Sequence, residues 1–106
     1  MLYELRQYHI KKGKMKEWVK LMESDIIPFQ VSKGMVIAGS FTAVEDATLY
    51  VWIRRFKNEA HKTKLYDAVY KSDQWNKVIK PRIDKLLDRS SIVVTKLTPT
   101  AASVLT

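Results

Sequence analysis

The stretch Leu2-Tyr3-Glu4-Leu5-Arg6-Gln7-Tyr8-His9-Ile10 decides the fold. It alternates with the two-residue period of a β-strand, and one of its faces carries Glu4, Arg6 and Tyr8. A carboxylate and a guanidinium two residues apart point to the same side of a sheet. If that side is buried, the charges must be paired or hydrogen-bonded, because an isolated charge is too costly to remove from water. The face therefore lines a cavity, an interface or solvent.

Working outward, Lys12-Gly13-Lys14 reads as a turn, after which Met15, Trp18, Val19, Met22, Ile26 and Phe29 recur at helical spacing. Pro28 should distort or close the end of this helix, since proline lacks an amide hydrogen and crowds the preceding turn. The helix is expected to stop within 30–32. A second strand is expected over 35–41. Glu45 and Asp46 mark a polar turn before a third strand over 48–56, rich in β-branched and aromatic residues, and the two strands read as a hairpin. Asn58 is an N-cap for a helix through His61, Leu65, Ala68 and Val69. Ser72-Asp73 offers a second cap, followed by an apolar stripe of Trp75, Val78, Ile79, Ile83, Leu86 and Leu87 that Pro81 interrupts. The last strand is expected over 91–97. Residues 98–106 are expected to be a flexible tail or to drape over a neighbour.

The order β-α-β-β-α-β, with the second helix split, is the ferredoxin-like pattern: an α+β domain with a four-stranded antiparallel sheet and helices on one face. The 106 residues fit one such domain, 1–106. The opposite sheet face is left bare and apolar, which marks an interface, so a homodimer is expected. The first and third strands are central neighbours in this pattern. Glu4, Arg6 and Tyr8 then share a face with Tyr50, Trp52 and Arg54 if the register allows, since a one-residue slip would flip the set.

Composition narrows the chemistry. The chain has no cysteine, which excludes disulfides, thiolate metal sites and cysteine nucleophiles and agrees with a cytoplasmic location. No apolar run approaches the roughly 18 residues of a membrane span. The formal charge is +8, but the lysines are spread over segments that read as helices and turns, which describes solvated faces. Sheet aromatics on this topology also raise RNA binding, yet the third strand lacks the K/R-G-F/Y-G/A-F-V-x-F/Y pattern, so specific nucleic-acid binding is not expected. His9 and His61 lie far apart with no carboxylate at ligand spacing, so neither a metal nor another cofactor is expected. His9 reads as a strand-end or interface residue and His61 as helix surface. Gly13, Gly34 and Gly39 are too scattered for a phosphate loop, and no serine sits in a nucleophile elbow.

The remaining constellation is Glu4, Arg6, Tyr8, Tyr50, Trp52 and Arg54. As a ligand site, the arginines would hold a carboxylate or enolate through forked hydrogen bonds, Glu4 would be a candidate base, and the aromatics would be walls. As a structural device, the charges would form an ion pair sealing a dimer. Trp18 and Trp75 read as packing anchors between helices and sheet.

Several segments resemble the NIPSNAP family: Y-E-L-R-Q-Y over Tyr3 to Tyr8, K-K-G-K-M-K-E-W over Lys11 to Trp18, Y-V-W over Tyr50 to Trp52, and S-D-Q-W over Ser72 to Trp75. The resemblance spans nearly the whole chain. It implies the dimeric α/β-barrel arrangement, in which two ferredoxin-like units pack sheet against sheet. That family has no settled biochemical activity. Its wider superfamily includes cofactor-free monooxygenases, haem-degrading oxygenases and small isomerases that use a cavity between helices and sheet. The chain departs from the family where many members carry a histidine at the position of Tyr50, so no role of that histidine transfers. The combined expectation is a homodimer binding a small apolar or aromatic ligand in an intrachain cavity, as a cofactor-free oxygenase or isomerase. The alternative is a non-catalytic dimeric module that recruits a protein partner.

Overall fold

In the computed structural model, which describes residues 1–106, strands β1 (Leu2–Ile10) and β3 (Leu49–Phe56) form the centre of a four-stranded antiparallel sheet. Strands β2 (Val36–Thr42) and β4 (Leu87–Leu97) complete it in the order β2-β3-β1-β4. This is the ferredoxin-like α+β architecture. The central register sets Glu4 opposite Arg54, Arg6 opposite Trp52 and Tyr8 opposite Tyr50. In β3 every second residue is buried: Tyr50, Trp52, Arg54 and Phe56. The six residues singled out from the alternation therefore share the face that the helices cover.

The first helical layer is continuous from α1 (Met15–Leu21) through a π-helical segment (Met22–Ile26) into α2 (Ile27–Ser32). The second runs from α3 (Glu59–Tyr70) to another π-helical segment (Gln74–Ile79) and then α4 (Lys80–Asp84). Each π segment sits directly before a proline in the first turn of the next α-helix, Pro28 or Pro81. The Ile27 amide bonds the Met22 carbonyl, and the Lys80 amide bonds the Trp75 carbonyl, each five residues back. A proline ring crowds the carbonyl four residues earlier. The wider turn relieves that crowding, so Pro28 distorts the helix without ending it.

Asn58 caps α3, its Oδ1 accepting from the His61 amide at 2.8 Å, and Ser72 Oγ accepts from the Trp75 amide at 3.2 Å. Replacing Asn58 with alanine should lower the unfolding free energy by about 1 kcal/mol, read as a shift of the urea midpoint without a change in slope. Gly13, at φ +75°, makes the turn into α1 in a conformation that side chains disfavour.

The last strand begins at Leu87, earlier than the expected 91. Leu87 pairs with Ile10 and Asp88 with His9, after which the β1–β4 register shifts between Gln7 and His9. Ser91 Oγ accepts from the His9 amide at 2.8 Å at this irregularity, and Asp88 Oδ1 takes the Ser90 amide at 3.1 Å. Asp88, Arg89 and Ser90 are exposed on an edge strand and thus look like a turn in sequence. Leu86 and Leu87 accordingly belong to a turn and a strand, and the helical stripe ends at Ile83 in α4.

The main core lies between sheet and helices, around Tyr8, Trp18, Met22, Ile26, Tyr50, Trp52, Ile79 and Ile83. A smaller cluster joins Met35, Phe56, Leu65 and Val69. The outer sheet face has no helical cover and leaves Phe41, Val93 and Leu97 exposed. Residues 98–106 fold against one end of that face, where the Tyr3 hydroxyl donates to the Thr106 carbonyl at 3.0 Å. No helix is long and apolar enough to cross a membrane.

Candidate functional site

A cavity of about 290 Å³ opens between the inner sheet face and both helical layers. Its sheet wall is Arg6 and Tyr8 from β1, Trp52 from β3, and Leu87, Arg89 and Ile92 from β4. The helices contribute Trp18, Met22 and Ile26 on one side and Tyr66, Tyr70, Trp75, Asn76, Lys80 and Ile83 on the other. All three tryptophans of the chain line it. Tyr66 and Tyr70 are four residues apart in α3, which brings both rings to one helix face, and they stack edge-on with centroids 5.0 Å apart. Tyr70 meets Trp75 edge-on at 4.9 Å.

Behind the lining lies a closed polar network centred on Arg54, which is 0% exposed. Its Nε donates to Glu4 Oε1 at 3.1 Å and its Nη2 to the same oxygen at 2.5 Å and to the Tyr66 hydroxyl at 2.7 Å. Its Nη1 donates to Gln30 Oε1 at 2.9 Å and to the Tyr70 hydroxyl at 2.7 Å. These contacts use all five N–H groups of a guanidinium. The Tyr66 hydroxyl in turn donates to Glu4 Oε2. Arg6 joins through Nη1 to Glu4 Oε1 at 3.3 Å and Nε to the Tyr8 hydroxyl at 2.7 Å, and Lys62 Nζ lies 3.8 Å from Glu4 Oε2.

Of the six residues picked out from the strands, Arg6, Tyr8 and Trp52 line the cavity. Glu4 and Arg54 stand behind the wall as its support, and the Tyr50 hydroxyl shares a 2.5 Å hydrogen bond with Ser40 Oγ on the neighbouring strand. Glu4 has no place on the lining and its oxygens are engaged, so geometry gives it a positioning role and not that of a base. Tyr66 and Tyr70 were missed because tyrosines in an amphipathic helix look like ordinary packing. Their four-residue spacing opposite a buried arginine was the available signal. Trp18 and Trp75, read as anchors, are also cavity walls. Both histidines lie outside the cavity: His9 Nδ1 bonds Thr48 Oγ1 at 2.9 Å, and His61 Nδ1 accepts from the Lys57 amide at 3.1 Å.

Burial pushes the Glu4 carboxyl upward, but the charge of Arg54, hydrogen bonds from Tyr66 and Arg54, and the charge of Arg6 outweigh it and hold the group below its ordinary value. Burial raises the Tyr8 phenol against the opposing pull of Arg6 and pushes Tyr50 up to about 12. The tyrosines are therefore neutral donors at physiological pH. Because the folded Glu4 carboxyl titrates below its unfolded value, its contribution is full above the unfolded value and is lost as pH falls through the folded one. Unfolding free energy measured by urea should decline on acidification below about pH 4.5, and Glu4→Gln should flatten this acid limb.

The sequence matches the NIPSNAP family over residues 3–102. No curated protein matches it. An uncharacterised NIPSNAP domain protein from Burkholderia xenovorans superposes with a TM-score of 0.85 at 22% identity, covering 97% of this chain and 98% of that one. A NIPSNAP family protein of unknown function from Agrobacterium tumefaciens superposes at 0.89 and 22% identity, covering 100% of this chain and 94% of that one. An antibiotic biosynthesis monooxygenase shares the fold at 0.68 and 15% identity, with 94% and 99% covered. With the match extending over nearly its whole length, this chain belongs to the NIPSNAP family.

Proposed function

We propose that this protein is a cytoplasmic homodimer that binds a small, largely aromatic ligand in the cavity between sheet and helices, acting as a cofactor-free oxygenase or isomerase. The observation that carries this reading is the cavity itself, which joins one arginine to a wall of tyrosine and tryptophan rings. Its volume is at the small end of the range of roughly 300–1,000 Å³ for ligand pockets. The fold shared with a protein described as an antibiotic biosynthesis monooxygenase supports the enzyme class by analogy. The uncovered apolar sheet face supports the dimer, because exposed apolar patches on one side of a small domain mark interfaces. The lack of cysteine supports a reducing compartment.

Native mass spectrometry of the protein purified gently from its host tests both halves. A dimer carrying a defined extra mass is the expected result, and Trp52→Ala should lose that mass while remaining folded. A monomer would overturn the assembly. A Trp52→Ala variant that keeps the same mass would overturn the cavity. The uncovered sheet face also favours the second reading, a non-catalytic module that recruits a protein partner. A ligand-free dimer, with cavity variants indistinguishable from the parent, would move the assignment there.

A further inference from the structure

We infer that the occupant of this cavity is a flat organic anion, a carboxylate, enolate or phenolate whose charged oxygen is received by Arg6 together with the hydroxyls of Tyr8 and Tyr70. The inference rests on the reading of the cavity as a ligand site and names the chemistry of what fills it.

The argument starts from the direction of the hydrogen bonds. A guanidinium has donors and no acceptor. In the 2.7 Å contact between Arg6 Nε and the Tyr8 hydroxyl, tyrosine must therefore accept, and its own proton is left without a protein acceptor. The same holds across the cavity. The Tyr70 hydroxyl accepts from Arg54 Nη1 at 2.7 Å and from Gln30 Nε2 at 3.4 Å, which leaves its proton uncommitted as well. Arg6 spends Nε on Tyr8 and Nη1 on Glu4, while Nη2 makes no hydrogen bond. The indole Nε1 atoms of Trp18 and Trp52 are buried and have no partner. The Trp52 indole is near enough to Tyr8 to favour its phenolate form but makes no hydrogen bond with it. Five uncommitted donors thus belong to side chains lining one small cavity. Buried donors without acceptors are costly, and an occupant rich in acceptors relieves the cost.

Charge distinguishes an anion from a neutral carbonyl compound. Glu4 supplies one negative charge against three positive ones from Arg54, Arg6 and Lys62, an excess of two behind this wall. No aspartate or glutamate lines the cavity. The shape follows from the rings: a dry cavity of roughly 150 Å³ admits benzene, so about 290 Å³ walled by three indoles accommodates one or two rings bearing an anionic group.

The test uses the full chain labelled with ¹⁵N, whose three indole N–H resonances report directly on the cavity once assigned with Trp→Phe variants. The probes are 2-naphthoate, 2-naphthamide and 2-naphthylmethylamine, titrated at one pH and ionic strength. Naphthoate should move the Trp18 and Trp52 indole protons to low field and bind about tenfold or more tighter than the amide, and the amine should not bind. Arg6→Gln should reduce naphthoate to the affinity of the amide and leave the amide unchanged. Its backbone spectrum reports whether it is folded, and Arg6→Lys should retain part of the preference. Equal affinity for acid and amide would overturn the anion assignment and leave the cavity standing as a ligand site. Indole signals unmoved by all three probes would overturn the cavity reading, and naphthoate shifts confined to surface amides would count equally against it.

Discussion

Replacing Glu4 with leucine should lower the unfolding free energy by about 3–5 kcal/mol, a large share of the roughly 5–15 kcal/mol that holds a domain together. The substitution removes the sole carboxylate of a network that contains Arg54 and Arg6, with Lys62 at its edge. Arg54 would remain fully buried with its Nε unpaired, and Nη2 would keep only Tyr66. Two guanidiniums would then face each other with no counter-charge between them. Glu4→Gln retains an acceptor oxygen and should lose less, separating the hydrogen bonds from the charge. Arg6→Gln should lose least, because the Arg6 side chain is 17% exposed and Glu4 keeps Arg54 and Tyr66 without it. Urea titrations of the three variants check this order. A Glu4→Leu loss below about 1 kcal/mol would place the pair in the class of solvated surface bridges.

A comparable loss of about 3–5 kcal/mol is expected for Trp18→Ala, since truncating a buried indole removes its transfer free energy and leaves a void. Trp18 is 1% exposed and meets Tyr8 and Tyr50 edge-on, each with centroids 5.9 Å apart, so it joins the first helical layer to the two central strands. Trp18→Phe keeps much of that contact and deletes only an N–H that has no protein partner, so its loss should be much smaller. Equal losses in the two variants would mean that the indole N–H is satisfied in solution.

The parts of the fold legible in sequence were those with strong alternation or an explicit cap. The β1 residues Glu4, Arg6 and Tyr8 and the β3 residues Tyr50, Trp52 and Arg54 read correctly as one face because a period of two leaves only two faces to choose from. Asn58 announced α3 through a side chain that competes with the backbone. The start of β4 stayed hidden because an exposed edge strand with a register shift carries no alternation between Asp88 and Ser90. The division of the candidate site was also not legible. Glu4 and Arg6 share a face, yet Tyr66 and Gln30 on the helices draw Glu4 and Arg54 behind the wall and leave Arg6 on the cavity. Such long-range partners leave no local periodicity to read.

The two π segments make the chain sensitive to its own length. A π turn is an α-helix that has accepted one residue more than its hydrogen-bond ladder requires. Deleting one residue from Met22–Ile26, or from Gln74–Ile79, would return the ladder to α spacing but rotate all that follows by about 100°. In the first helix that rotation would carry Gln30 away from Arg54, and in the second it would carry Ile83 off the cavity. Single-residue insertions and deletions, ordinarily confined to loops, are thus a natural axis of divergence inside these helices, with the adjoining prolines marking where the extra residue is held.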